Sequence, residues 1–531
     1  MPGVIAAGNS QTAAAGAAIL DQGGNAVDAA IAAAFTSFIA EVGVVHLGGS
    51  GFAQVFDPAS GQHLVYDFFS NMPGAGSQVQ NDRLDFQRVT IDYGSTTQDF
   101  HLGRGSVAVP GNIFGLCRLA ADFGSLPLKA LLGPAQKLAD EGAVLDQFQA
   151  DTCALLKPLY TNTPGMRAIF APDGDMVQSG DIVRIPYLGD TLRLLIQVGE
   201  QYAREGALAQ AILADQRQHG GLLTAKDLQA YQVRRQEPIR LPYRGYEILL
   251  PPPASTGGAL TAFALKLLAS FPINEVEHGS SAHLRLLAEV LAATGRARPF
   301  WDRAVVEESW QSAVDALMAD DFIRPFVQDI RSSLETGRPS PVAQEAQGPA
   351  STSHLSVIDD KGMAVALTTT AGESAGYVVP GTGLIPNNIL GEEDLNPGGF
   401  HRWQPGQRIF TMMTPTIVLH KDKIRLVTGS GGANRIRSAI LQVLVNVLDF
   451  DMPLVAAVNA PRVHLENGVL HCELGYDARA ADQLEEMGYV LHRWATRSIY
   501  FGGAHSVAQR EDGRLVAAGD NRRGGAVAYR D

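Results

Sequence analysis

Pro349-Ala350-Ser351-Thr352-Ser353-His354-Leu355-Ser356-Val357-Ile358-Asp359 is the stretch from which the rest of the chain can be read. His354, Ser356 and Ile358 fall on one face of a period-two pattern, and Leu355, Val357 and Asp359 on the other, which predicts a strand. Asp360-Lys361-Gly362 predicts a turn, and Met363 to Thr370 a second strand. The run ahead of them, Gln344-Glu345-Ala346-Gln347-Gly348-Pro349, is soft and aperiodic, and suits a backbone that distorts and is cut. A threonine at the mouth of a buried strand acquires a chemical use if it becomes a chain terminus. Its hydroxyl is a weak nucleophile unless a base sits beside it, and a free α-amino group with a pKa of roughly 7.7–8.0 is such a base. A peptide nitrogen is not, so the Ser351–Thr352 bond must break before Thr352 can act in this way. On spacing alone, a Ser/Thr cluster before a strand also reads as loop and cap.

Working outward, the chain has 531 residues, which at ~150 residues per domain suggests three or four domains. Hydrophobic residues make up 46% and charged residues 18%, the composition of a globular protein with a large core. A net charge of -13 argues against a nucleic-acid partner, because phosphate binding needs a basic surface. Cys117, Cys153 and Cys472 are odd in number and widely spaced, so neither a disulfide framework nor a zinc site is indicated, and no metal or cofactor is expected. The start, Met1-Pro2-Gly3-Val4-Ile5-Ala6-Ala7-Gly8, lacks the basic and apolar regions of a signal peptide, and no apolar run reaches ~18 residues. The expectation is a cytoplasmic protein without a membrane partner.

Asn25 predicts an N-cap for a buried helix over Ala26 to Glu41, nearly all Ala, Ile and Phe. Ala53 to Asp57 and Leu64 to Phe69 predict a strand pair. Thr224 and Asp227 predict a capped helix start. His46-Leu47-Gly48-Gly49-Ser50-Gly51-Phe52 lacks the Lys-Ser/Thr of a phosphate loop, so its glycines read as close backbone packing and His46 as structural. Val427-Thr428-Gly429-Ser430-Gly431-Gly432-Ala433-Asn434-Arg435-Ile436 places glycines between a strand and a helix, leaving backbone N–H groups exposed as in an oxyanion hole. A phosphate loop is the rival reading there, and again no lysine follows.

Thr352-Ser353-His354-Leu355-Ser356-Val357-Ile358-Asp359 resembles the Thr-Thr-His-x-Ser-Val-x-Asp autoprocessing motif of the γ-glutamyltransferase family. The resemblance continues in order along nearly the whole chain, through Gly24-Asn25-Ala26-Val27-Asp28-Ala29-Ala30, Gly381-Thr382-Gly383-Leu384-Ile385-Pro386-Asn387-Asn388 and the glycine loop at 429–433. It implies a four-layer α/β/β/α N-terminal-nucleophile hydrolase. Self-cleavage between Ser351 and Thr352 would give a large subunit, 1–351, and a small subunit, 352–531, interleaved as one unit, with a homodimer of such pairs left open. By the same resemblance Thr370 hydrogen-bonds the nucleophile, although Thr368 or Thr369 competes for that place, and the backbone amides of Gly432 and Ala433 form the oxyanion hole. Gly372 stands where relatives carry an asparagine.

The implied acyl-donor site is altered. Relatives hold the donor's α-carboxylate with an arginine where Phe69 stands here, and with two serines where Thr411 and Met412 stand. Glu392 matches the acid that holds the α-amino group, although an acidic run such as Gly391-Glu392-Glu393-Asp394 also reads as a solvated loop. Losing a buried charged contact commonly costs ~2–5 kcal/mol, tens- to thousands-fold in affinity. The expected activity is therefore that of a γ-glutamyltransferase-like amidohydrolase or acyltransferase, cleaving a small amide through an acyl-Thr352 intermediate with altered donor specificity; an oxamate-type small-amide hydrolase without glutathione activity is the alternative, and Arg402, Arg408 and Arg435 are the candidates to rebuild the clamp. An uncleaved, non-catalytic binding protein on the same fold is the alternative from another class.

Overall fold

The alternation after Thr352 is realised as the strand Ser353–Ile358, paired antiparallel with Ala364–Thr370. The computed structural model describes residues 3–76, 83–92, 97–344 and 351–530. Most of the soft run ahead of the strand, 345–350, lies outside the described residues. Leu355 and Val357 pack with the helix Ala26–Ala40, while Ile358 joins a separate cluster with residues of a second sheet. Asp359, on the helix-facing side by parity, accepts the backbone N–H of Ala26 at 3.0 Å and so caps that helix. Asn25 and Asp28 complete a capping box at the same end. The helix is buried along its whole length because Ala, Ile and Phe occupy every face.

Seven strands form the first sheet, in the order Ala526–Tyr529, Val4–Ala7, Ser353–Ile358, Ala364–Thr370, Ser50–Asp57, Gln62–Phe68 and Arg234–Gln236. Six form the second, in the order Leu515–Ala518, Ser506–Gln509, Lys423–Thr428, Thr416–His420, Tyr246–Leu250 and Ile239–Tyr243. Three apolar clusters fill the spaces between four layers. One joins the first sheet to the helices Ser10–Asp21 and Ala26–Ala40. A small middle cluster, with Val4, Ala6, Phe56, Ile417 and Val427, joins sheet to sheet. The third joins the second sheet to the helices Thr256–Leu268, Ser281–Glu307 and Arg435–Leu448. This is the expected α/β/β/α sandwich.

The length-based division into three or four domains does not hold. Val4–Ala7 pairs with Ser353–Ile358 on one side and Ala526–Tyr529 on the other, so strands from the whole length of the chain share one sheet. No helix among the described residues is long and apolar enough to cross a membrane.

Candidate active site

The antiparallel register Ser353↔Thr369 carries Thr370 up beside the start of the first strand. There the Thr370 hydroxyl donates to the Ser351 carbonyl oxygen at 2.6 Å and accepts the Gly372 N–H at 3.0 Å. Thr368 is committed elsewhere, 2.8 Å from His354 Nδ1, and the His354 Nε2 is 2.9 Å from the Ser356 hydroxyl. Of the three neighbouring threonines, Thr370 alone is hydrogen-bonded to Ser351 among the described residues. The Ser351 N–H donates to Glu373 Oε1 at 2.8 Å, and Arg523 Nη1 donates to the Thr352 carbonyl at 3.2 Å. Both backbone groups flanking the Ser351–Thr352 bond are thus held by side chains.

Thr352, Thr370, Glu392, Thr411, Met412 and Ala433 line one cavity of about 20 Å³. A larger cavity of about 120 Å³ adjoins it and shares Asp394, Leu395, Thr411 and Met412. Phe69 belongs to neither lining. It is buried against Phe52, ring centroids 6.4 Å apart. Its carbonyl accepts from Tyr231 and Arg408. Arg408 is taken up by that carbonyl, by the Gln232 carbonyl at 2.6 Å and by Asp67 at 3.4 Å, so it does not rebuild the clamp. Arg402 is exposed, and Arg435 stacks 4.9 Å from the Tyr500 ring centroid.

The glycine loop lies against Thr352 itself. A Cβ on Gly431 would come within 2.1 Å of the Thr352 carbonyl oxygen. Gly432 and Ala433 both have positive φ, 123° and 49°, just before the helix Arg435–Leu448. Among the described residues neither backbone N–H has a hydrogen-bond acceptor. Gly372, at φ 65°, has no room for a side chain, because a Cβ there would meet Asn388 Oδ1 at 2.2 Å and Glu392 Oε1 at 2.3 Å.

Burial dominates the electrostatics. The solvated-loop reading holds for Glu393, which is exposed, but not for Glu392 or Asp394, which are buried. Desolvation, then the charges of Asp394 and Glu373, push the Glu392 carboxyl well above its ordinary range. Burial raises Asp394 to about 6 against the opposing charges of Arg435 and Arg298. It raises Glu373 to about 7 despite the Ser351 hydrogen bond. Behind the site, Glu41 accepts from the hydroxyls of Ser353 at 2.5 Å and Thr12 at 2.8 Å, and burial lifts it to about 7. Sequence reasoning missed Glu373, Glu41, Arg298 and Arg523. The one local signal was a glutamate closing an otherwise apolar helix, at Glu41.

The sequence profile of the gamma-glutamyltranspeptidase family matches residues 12–530. The acylase ACY 1 proenzyme of Pseudomonas sp. (strain V22) is 33% identical over 525 residues, covering 97% of this chain and 91% of that protein. The glutathione hydrolase proenzyme of Escherichia coli (strain K12) is 28% identical over 543 residues, covering 98% and 90%. Among solved structures, a cephalosporin acylase from Bacillus halodurans superimposes with a TM-score of 0.84 at 24% identity, covering 99% of this chain and 95% of that one. The fold, the order of motifs and the sequence match agree: the chain belongs to the gamma-glutamyltranspeptidase family and is an amide-bond hydrolase or acyltransferase.

Proposed function

We propose that the chain is a proenzyme that cuts itself between Ser351 and Thr352, after which Thr352 works as an N-terminal nucleophile on a small amide. Membership of an enzyme family sets aside the non-catalytic alternative. The observation that carries the proposal is the Thr370 hydroxyl, 2.6 Å from the carbonyl oxygen of Ser351, with Thr352 and Thr370 lining one cavity.

In the precursor, Thr352 Oγ attacks the Ser351 carbonyl carbon, and negative charge builds on the oxygen that Thr370 already contacts. The acyl group moves from nitrogen to oxygen, and water cleaves the resulting ester. The released Thr352 amine then accepts the proton of its own hydroxyl as that hydroxyl attacks the substrate carbonyl. The Gly432 and Ala433 amides, which have no acceptor among the described residues, take the substrate oxyanion. Loss of the amine leaves an acyl-Thr352 ester, which water or an acceptor amine resolves.

The altered positions 69 and 412 favour a donor other than glutathione, and the Thr411 hydroxyl remains at the cavity. Intact mass of the wild type beside Thr352→Ala tests the mechanism. Two fragments split before Thr352 in the wild type, and a single inactive chain in the variant, are expected. An uncut wild type, or a Thr352→Ala protein that still hydrolyses amides, overturns it. Oxamate against a γ-glutamyl anilide then separates the oxamate-type reading from the glutamyl one.

A further inference from the structure

We propose that Glu373 is the base for the second half of self-cleavage, taking a proton from the water that hydrolyses the Ser351 ester on Thr352 Oγ. The proposal rests on Thr352 being the nucleophile. Acids stand on both sides of the Ser351–Thr352 bond. Glu392 and Asp394 line the cavity on the Thr352 side. On the Ser351 side, Glu373 is the one carboxylate hydrogen-bonded to Ser351 among the described residues, its Oε1 accepting the Ser351 N–H at 2.8 Å. That nitrogen is two bonds from the carbonyl carbon that water must attack, which leaves a gap that a single water spans.

Glu373 is buried, and its second oxygen, Oε2, has no hydrogen-bond partner among the described residues. A buried carboxylate oxygen left without a donor is costly, and a task in accepting a proton accounts for it. The loop that presents it is pinned. The Glu373 N–H donates to Asn388 Oδ1 at 2.8 Å, and the Gly372 N–H to the Thr370 hydroxyl at 3.0 Å. One short turn therefore carries both the hydroxyl on the Ser351 carbonyl oxygen and the carboxylate on the Ser351 N–H. The remaining acids are poorly placed for the task. Both oxygens of Glu41 are taken, by Ser353 and Thr12, and neither Glu392 nor Asp394 is hydrogen-bonded to Ser351 among the described residues. Arg523 and Arg435 favour the ionised form of Glu373, and the Glu392 carboxyl faces it. His46, beside the Glu373 backbone, is pushed down to about 3 by burial and is neutral. Burial outweighs the hydrogen bonds of Ser351 and the two arginines, and Glu373 stands at about 7, close to the pH at which a base is most effective.

After the acyl shift the Ser351 carbonyl carbon is bonded to Thr352 Oγ, and the Thr352 amine is free. Water attacks that carbon as Glu373 takes one of its protons. The bond from carbon to Oγ then breaks, and Oγ leaves with the proton that Glu373 returns. Ser351 ends as a carboxylate, its acid proton lost to solvent, and Thr352 as a hydroxyl beside a free amine. Glu373 lines neither the cavity at Thr352 nor the one beyond it, so this task belongs to maturation and not to donor binding.

The full chain, as wild type, Glu373→Gln and Glu373→Asp, should be made by cell-free synthesis and followed by intact mass with and without neutral hydroxylamine. Hydroxylamine splits an ester that water has not reached, and leaves the large piece ending in a Ser351 hydroxamate. Glu373→Gln is expected to cut itself about 10²- to 10⁴-fold more slowly than the wild type, the usual contribution of a general base. Hydroxylamine should nevertheless split it before Thr352, and should leave Thr352→Ala whole. Glu373→Asp should recover part of the cut without hydroxylamine. In the wild type, cutting should slow by about tenfold per pH unit below about 7 while the hydroxylamine-trapped share rises, a readout that needs no variant. Glu373→Gln cutting at the wild-type rate overturns the proposal. So does a Glu373→Gln protein with wild-type circular dichroism that stays whole in hydroxylamine, because Glu373 then acts before the ester forms. If Glu373→Gln does not fold, a wild-type rate that is flat between about pH 5 and about pH 7 overturns it instead. A wild type that stays whole even in hydroxylamine removes the Thr352 mechanism, whereas a wild type and a Glu373→Gln protein cut equally fast remove only this assignment.

Discussion

At the scale of single residues, the hydroxyl of Thr370 sits where charge would build on the Ser351 carbonyl. Thr370→Ala is expected to slow self-cleavage by about 10²- to 10³-fold, the usual effect of deleting one oxyanion donor. Thr370→Ser should restore most of it, and a time course of intact mass reads both. Glu41 makes a different prediction. Its carboxyl, raised from 4.5 to about 7 in the folded protein, keeps its proton there while the unfolded chain has already released it. Its contribution to stability is therefore full below about pH 4.5, and is lost as pH rises through about 7. Glu41→Gln should remove that part of the decline, so its stability relative to the wild type should rise between about pH 5 and about pH 7.5 in urea unfolding on the Thr352→Ala background. Some of these residues were legible beforehand. Thr370 and Glu392 were named through the family resemblance, Glu392 by counting on from the Asn387-Asn388 pair. Arg298 was not, because helical periodicity says which face of Ser281–Glu307 is apolar but not which cavity that face meets. Phe69 shows the converse: the family resemblance placed it at the acyl donor, and the fold buries it against Phe52.

At the scale of elements, the glycine loop is set by what it must touch. A Cβ on Gly429 would lie 2.3 Å from the His354 ring, and one on Gly431 would lie 2.1 Å from the Thr352 carbonyl. Gly431→Ala must push the loop or Thr352 aside, and displacements of about 1 Å at a reacting centre can cost about 10²-fold. Self-cleavage of Gly431→Ala should fall by about that factor while its circular dichroism stays that of the wild type. Asp359 joins two elements, accepting from Ala26 at the start of a helix and from Lys361 and Met363 in the turn between two strands. Asp359→Ala leaves those buried amides without their acceptor, and the urea midpoint should drop by the equivalent of about 1–3 kcal/mol. The strand, the turn and the capped helix were all readable, because each is written in local alternation and capping residues. The pairing of Val4 with Ile358 was not, since a register between residues so far apart leaves no trace in a short window.

At the scale of the whole molecule, a cut before Thr352 would divide both sheets between two chains. Val4–Ala7, from the first piece, is flanked by strands of the second, and Tyr246–Leu250 of the first pairs with Thr416–His420 of the second. The cleaved protein should elute as one particle on size exclusion, come apart only in denaturant, and unfold in a single transition rather than two. The same interleaving sets a clock on biosynthesis. Arg523, which grips the Thr352 carbonyl, lies 171 residues after it in the sequence, and Ala526–Tyr529, which closes the sheet beside Val4–Ala7, follows later still. The bond at Thr352 is synthesised long before the groups that hold it in place. On the proposed mechanism a nascent chain would thereby stay whole, and its two halves would already be locked together when the cut became feasible.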